Sequence, residues 1–483
     1  MYSVETWVLV KNIASIAIGF SVYKILCIIF PPFNFPKNIP TIPFYVSFLG
    51  LITSFDQEDI YKIYLKEKME KHGAVKIYFA SRWNILVSKP EYLLEIFKSE
   101  DIYAKSGNQE KIPYSVLSEY TGENIISAHG ESWKLYRSIL KQSIQFPKLE
   151  PVNQNTKKLI TLLKTEISKN GNILHVTDIL QKYSLENIGK SVLGINFKCL
   201  EDDESIIHNK IKFLKSKIFN PLYLNFPFLD KLQIPSRQKA RKEVIKFRHY
   251  FINQIFTSRE PSGTLGTAGN KLVEAYDNQD ITMKQLIDNS IILMVAGHEN
   301  PLLLMLSLLF VIAKYPSVQI KIRNELNSKD LETPYLYSVI YETLRIYPPL
   351  GQIINRKTTR NIILGGLIKV PKGVYVGYNN LVTGRDKTVW EFSDEFLPER
   401  WGKTSNEIHS NFTTAKRNAT LPAFHGRKRA CLGEKFAIFE VRALIIEIMS
   451  NFEISLVENW KEKITAAGPI CPLKLQIKFQ EIN

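Results

Sequence analysis

Apolar residues along the chain fall into three patterns: one unbroken run, several helix-spaced stripes and a few alternating stretches. From Ile13 to Phe30 nearly every position is apolar, with Lys24 interrupting the run and Lys11 just ahead of it. A run of about 18 residues stands at the lower edge of what spans a bilayer as a helix. A cleaved signal peptide has a similar look, but no small-residue cleavage site follows. Segment 1–30 is therefore read as an uncleaved membrane anchor. Pro31 to Pro43, PPFNFPKNIPTIP, holds five prolines, which cannot join a helix and predict a stiff, extended spacer over 31–43. A folded body then fills 44–483, with no internal linker that would divide it.

Within that body, Gly73 to Val87 alternates β-prone residues about a Ser81-Arg82 turn and reads as a hairpin. A helix starts at Pro90 and runs through Phe97. Ser106 to Gly130 is long, polar and turn-rich, the kind of loop that can roof a pocket. Ser132 to Ile144 is helical, and Trp133 and Arg137 share one face of it. Pro151 to Ser258 reads as several helices, broken at Asn220 to Ser236, whose Phe, Tyr, Leu and Pro residues suit a lid or a dip into a membrane. Ser262 to Asn270 is a Gly/Ser/Thr loop without a phosphate-cradling pattern. Thr282 caps a helix to about Tyr315 that is apolar all round and should cross the core. In its middle stands AGHENP, Ala296 to Pro301, where a proline predicts a locally opened helix beside a ligand, or a kink satisfied by water. Tyr335 to Tyr347 forms another helix, Arg360 to Asn380 reads as strands turning at Gly365-Gly366 and Lys372-Gly373, and Glu434 to Met449 is a buried helix. Ile464 to Pro472 turns into a last strand, Leu473 to Phe479. The sum is a mainly α fold with a smaller β-sheet subdomain.

Composition narrows the setting. The chain has 483 residues, 45% of them hydrophobic, enough for a large core and neither disordered nor disulfide-stapled. Its cysteines, Cys27, Cys199, Cys431 and Cys471, are too scattered for a disulfide framework or a zinc site. A formal charge of +16 calls for an acidic partner surface. No aromatic-interleaved basic repeat or zinc finger supports nucleic acid.

The candidate chemistry gathers on Phe424 to Gly433, FHGRKRACLG, which sets Cys431 in a basic, glycine-rich loop ahead of an apolar helix. Backbone N–H groups and arginine charge in such a loop would keep Cys431 a thiolate, a soft and strongly donating ligand suited to haem iron. Gly433 lets the backbone approach a flat cofactor. A buried structural cysteine beside a basic turn is the plainer alternative. Glu342 and Arg345 lie three apart on one helix among apolar neighbours, so both charges need further partners, and Arg400 in FLPERW offers one.

Four of these motifs, in order and at similar spacing, resemble those of the cytochrome P450 superfamily of haem-thiolate monooxygenases, over essentially the whole chain. They are Trp133 with Arg137, the AGxE of Ala296, Gly297 and Glu299, Glu342 and Arg345 with Arg400, and the cysteine loop from Phe424. The resemblance implies the cytochrome P450 fold, haem b with Cys431 as the axial ligand, and Arg137 and Arg429 on the haem propionates, with Arg356 as a third. It also implies an endoplasmic reticulum membrane location with the catalytic domain facing the cytosol. Electrons would come from NADPH through a cytochrome P450 reductase, docked on a basic face that includes Lys134, Lys428 and Lys435. Two positions depart from the family pattern. Arg427 stands where the loop usually has glycine, so the turn is expected to differ locally. Asn300 replaces the usual alcohol after Glu299, which implies altered oxygen activation.

Longer stretches, among them SRWNILVS, AKSGNQEKIPYS, AGHENP and AGPICPL, resemble the dityrosine-forming branch of the superfamily in fungal spore walls. This implies coupling of two N-formyl-L-tyrosines into N,N'-bisformyl dityrosine, a reaction that needs no oxygen insertion. A substrate with a carboxylate and a phenol calls for cations and hydrogen-bonding groups, and Lys111, His129, His298 and Asn300 are the candidates. Two rivals remain: a fungal monooxygenase hydroxylating a lipid or sterol-like substrate, and a non-catalytic membrane protein that merely keeps the fold.

Overall fold

In the computed structural model, which describes residues 4–201, 205–258, 266–328 and 332–482, helices dominate and three small sheets accompany them. Among the helices are α1 (Val4–Ile29), α2 (Pro90–Lys98), α3 (Gly130–Gln145), α4 (Glu150–Asn170), α5 (Thr177–Ile188), α6 (Met283–Lys314), α7 (Pro334–Ile346) and α8 (Glu434–Asn451). The mainly α reading with a smaller β part is the observed architecture.

The axis of the body is α6. Its first turn is fixed by a capping box: the Gln285 amide N–H donates to the Thr282 hydroxyl at 3.3 Å, and the Thr282 N–H donates to the Gln285 side chain at 2.8 Å. Leu286, Ile291 and Met294 from its first half join one buried cluster with α3 and α5, while Leu302 to Ala313 join a second with α4, α7 and α8. One helix therefore threads both halves of the core, as its all-round apolarity predicts. The helix is assigned without a break from Met283 to Lys314, with Pro301 buried inside it. Proline's missing N–H costs one bond, and burial on both sides holds the axis together.

The larger sheet takes the order β1-β2-β8-β5-β3. Its strands are β1 (Ala74–Phe79), β2 (Arg82–Val87), β3 (Tyr103–Lys105), β5 (Gln352–Thr358) and β8 (Tyr375–Asn379). The β1–β2 hairpin is the predicted one, with Ala80 and Ser81 in left-handed conformation at its turn. β2 runs parallel to β8, and β5 pairs antiparallel with β8 and β3, slipping register between Ile354 and Arg356 so that Asn355 is bulged out. The other sheet joins β4 (Ile173–His175), β10 (Gln476–Glu481) and β9 (Phe452–Leu456), and β6 (Ile362–Leu364) with β7 (Ile368–Val370) forms a separate hairpin. The last strand begins at Gln476, later than the expected Leu473, because Ile464 and Pro472 first close an isolated bridge.

Several loops carry more structure than expected. Ser106 to Gly130 contains two short helices, Asn108–Lys111 and Val116–Thr121. Of the Ser262 to Asn270 loop, residues 262–265 lie outside the described residues, and Thr267 caps a helix over Ala268–Asp277. In the aromatic segment after Asn220, Phe226 stacks on Phe48 with ring centroids 5.2 Å apart, while Leu222, Phe228 and Leu232 stay exposed. Residues Trp7–Ile29 of α1 form an apolar stretch long enough to cross a membrane, with 0% buried against the body. Only its end touches the body, where Trp83 donates its indole N–H to the Cys27 carbonyl at 3.1 Å.

Candidate active site

A cavity of about 300 Å³ opens between α3, α6, α8, the bulge of β5 and the cysteine loop. The loop is closed by its own backbone: the Cys431 N–H donates to the Phe424 carbonyl at 3.0 Å. Two tight turns inside it put His425 at φ 60° and Arg427 at φ 58°. Arg427 thus adopts the left-handed backbone that glycine takes freely. Gly433 caps the start of α8 on the cavity wall, and a Cβ added there would meet no protein atom nearer than Ile144 Cγ2 at 3.9 Å. The space it would enter belongs to the cavity.

Cys431 is accessible, yet burial pushes its thiol up to about 11. Both hold because the sulfur faces an internal cavity rather than bulk solvent. The backbone amides of Gly433 and Glu434 pull in the other direction without winning. This corrects the expectation that the loop alone keeps a thiolate. Desolvation exceeds what the amides supply, and Arg429 is committed elsewhere.

That commitment is to a cationic wall. The Arg429 guanidinium lies 3.9 Å from the Trp133 ring centre and Arg137 lies 5.4 Å from it, so α3 presents the ring to both. Arg429 gives its Nε edge to Glu100, and its Nη1 and Nη2 are buried without partners. Burial pulls the guanidinium down to about 10, against the pull of Glu100, and it stays cationic at neutral pH. Arg356 stands behind the wall, with Nη1 donating to the Tyr103 carbonyl at 3.2 Å and its Nε unpartnered. Lys105, at the end of β3, lines the cavity and is held well below the usual lysine range by burial and by its cationic neighbours Arg356 and Arg429. Sequence reading missed Lys105, Glu100 and Asn355. Lys105 carries only the weak signal of a lysine closing a short strand, and Glu100 carries none.

From α6 the wall takes Ala296, Gly297, Asn300 and Leu304. Gly297 sits where a Cβ would fall 2.2 Å from Ile188 Cδ1, so α5 and α6 approach through it. Asn300 donates back to the Ala296 carbonyl at 3.4 Å. Glu299 points away and pairs with Lys215 at 3.2 Å. His298 is also off the wall: its ring is fully buried, Nδ1 lies 2.7 Å from the Met294 carbonyl, and burial pulls it down to about 4. A neutral ring must then donate from Nδ1, which leaves Nε2 as a buried acceptor without a partner.

The remaining substrate candidates also lie off the wall. Lys111 donates to the Ile354 carbonyl at 2.6 Å and lies 4.8 Å from the Tyr375 ring centre. His129 precedes α3, with Nδ1 4.0 Å from Glu100. Of the expected substrate contacts, only Asn300 faces the cavity. His425 was not expected there, yet it lines the wall and pairs through Nδ1 with the Tyr378 hydroxyl.

Behind α7, Glu342 and Arg345 are both fully buried. The Glu342 carboxylate accepts from Arg345 at 2.7 and 3.0 Å, from Arg400 at 3.0 Å, from the Trp401 indole at 3.1 Å and from the Leu397 N–H at 2.9 Å. Arg345 spends its other N–H groups on the carbonyls of Gly384, Ser393 and Glu395. The set ties α7 to the segment that leads into the cysteine loop.

Residues 38–479 match the sequence pattern of the family described as Cytochrome P450. Cytochrome P450-DIT2 of Saccharomyces cerevisiae is 46% identical over 469 residues, covering 95% of this chain and 96% of that protein. Cytochrome P450 monooxygenase xanG of Aspergillus fumigatus is 35% identical, over 90% of this chain and 85% of its own. Cytochrome P450 3A16 of Mus musculus is 24% identical over 86% and 84% respectively. The matched stretch contains every residue that lines the cavity, and the chain accordingly belongs to the cytochrome P450 family of monooxygenases.

Proposed function

We propose that the cavity holds haem b, ligated by Cys431, and that the enzyme couples two N-formyl-L-tyrosines into N,N'-bisformyl dityrosine for spore or cell wall maturation. The residues present fit the cofactor. Cys431 faces the cavity, Gly433 leaves room for a flat group, and the two orphaned nitrogens of Arg429 suit a propionate, with Arg137, Arg356 and Lys105 close by. Bound there, the haem supplies one-electron oxidising power, with O2 as the oxidant and NADPH electrons arriving through a reductase. In the coupling, each phenol gives up one hydrogen atom and a carbon–carbon bond forms ortho to the hydroxyls. O2 is taken to two waters, with NADPH supplying the other two electrons.

The observation that carries the reading is the wall itself: among the described residues, no hydroxyl-bearing side chain lines the cavity. Asn300 occupies the place of the usual alcohol, and a reaction on weak phenolic O–H bonds tolerates that change. Ile125, Ile126, Ile292, Leu293 and Ile353 offer apolar surface against which rings can pack, and pairing two rings in one cavity replaces a bimolecular encounter with a held one. The 46% identity to a fungal relative across nearly the whole chain points the same way. The mostly apolar wall also favours a second reading, hydroxylation of a lipid or sterol-like substrate.

Segment 1–30 serves in this reading as an endoplasmic reticulum anchor and 31–43 as its spacer, with 44–483 as the catalytic domain facing the cytosol. Lys134, Lys428 and Lys435 then form part of an acidic reductase's docking face. Product analysis with reductase, NADPH and N-formyltyrosine tests the activity. Fluorescent bisformyl dityrosine is expected, and monomeric hydroxylated tyrosine alone, or turnover of sterols only, would defeat the coupling. The reduced, CO-bound spectrum should show the red-shifted thiolate band, lost in Cys431→Ala.

A further inference from the structure

We propose that Glu100 is a positioning residue for the cofactor, holding Arg429 by its Nε edge so that both Nη groups face the cavity. The inference rests on the haem reading above and extends it to a residue outside the motifs.

The geometry is unusual for a plain ion pair. A carboxylate that merely neutralises an arginine gains most from a two-point contact. Here Glu100 pairs with the Nε edge and leaves Nη1 and Nη2 buried without partners, an arrangement that is costly unless a further anion arrives. The Trp133 ring, 3.9 Å from the guanidinium, supplies a second constraint. Between ring and carboxylate the side chain is held in one orientation before any ligand enters. Glu100 also lies 3.8 Å from Arg356 and so reaches two of the cations behind the wall.

The placement follows from local structure. Glu100 sits just past α2, where Ile102 and Tyr103 both return N–H bonds to the Ser99 carbonyl at 3.1 and 2.9 Å. The same helix packs Phe97 against Gly426 of the cysteine loop, where a Cβ would fall 2.5 Å from the ring. Glu100 and Arg429 are therefore carried by two elements in direct contact. The charges agree as well. Arg137, Arg356 and Arg429 bring three positive charges against the single carboxylate of Glu100, while burial disfavours the charged form of Lys105 beside them. Two haem carboxylates would leave the cluster about neutral, and without Glu100 it would be about +1. A negative charge beside the cofactor also favours its oxidised form.

The test uses full-length protein as wild type, Glu100→Gln and Glu100→Ala, with haem loss followed by transfer to an apoglobin and the midpoint potential read by titration. Gln still accepts from Nε and should lose haem within about threefold of wild type, whereas Ala should lose it about 10- to 100-fold faster. Both variants should shift the midpoint to more positive potential. Circular dichroism melting separates a folding defect from the effect sought. Equal haem loss in Ala and wild type, equal loss in Gln and Ala, or an unmoved midpoint in both variants overturns the proposal. A wild type lacking the thiolate CO band would instead remove the cofactor reading itself.

Discussion

At Arg427 the chain puts an exposed arginine into a backbone conformation that glycine enters freely, with φ at 58°. The left-handed region costs an L-residue roughly 1–2 kcal/mol, offset in part by glycine's greater freedom in the unfolded chain. Arg427→Gly is therefore expected to stabilise the protein by about 0.5–1 kcal/mol, seen as a higher urea midpoint at unchanged slope. A lower midpoint would mean that the arginine side chain contributes contacts outweighing its backbone strain. Sequence alone marked this position as a departure from the family pattern but could not say how the backbone would respond. Cys431 teaches the same lesson about chemistry. Its loop composition argued for a thiolate, while the state of the thiol depends on how many amides reach the sulfur and how much water is excluded.

Between elements, the informative contacts are polar and buried. Glu440 on α8 is fully buried between helices, where the Asn187 side chain donates to its Oε1 at 3.0 Å and its Oε2 has no partner. Burial pushes its carboxyl up to about 8 from an ordinary 4.5. The folded protein then keeps a proton that the unfolded chain releases. The resulting stabilisation is present below about pH 4.5 and fades as pH climbs through about 8. Glu440→Gln keeps a neutral group of the same shape, so its melting temperature should fall less between about pH 5 and pH 8 than that of wild type. Parallel curves would show that Glu440 is ionised throughout. The Glu342 set was more legible, because two charges among apolar neighbours on one helix face cannot be left unpaired. Its fourth member, Trp401, stood beside Arg400 in the sequence, yet an indole N–H aimed at a carboxylate is visible only in three dimensions.

For the molecule as a whole, α6 joins two buried clusters and the cavity lies where they meet, with α1 apart from both. Since α1 touches the body only at its end, removing residues 1–29 should leave the core intact. The truncated protein is expected to shift from the membrane pellet toward the salt-extractable fraction while its melting temperature stays close to that of the full chain. Unchanged pelleting would assign membrane attachment to the exposed aromatic segment around Leu222, Phe228 and Leu232 instead.

The sequence by itself determined the elements and the covalently local motifs: the apolar run of α1, the capped core helix, the hairpin, the Glu342–Arg345 face and the cysteine loop. These follow from periodicity, capping and residue type, which act over a few neighbouring positions. Only the tertiary structure decided which side chains face one another across long separations in the chain. It turned Lys111, His129, His298 and Glu299 away from the cavity, brought Lys105 and Asn355 onto its wall, and set Glu100 against Arg429. Such choices depend on the rotation of packed helices and on a one-residue bulge in a strand, neither of which the order of residues along the chain displays.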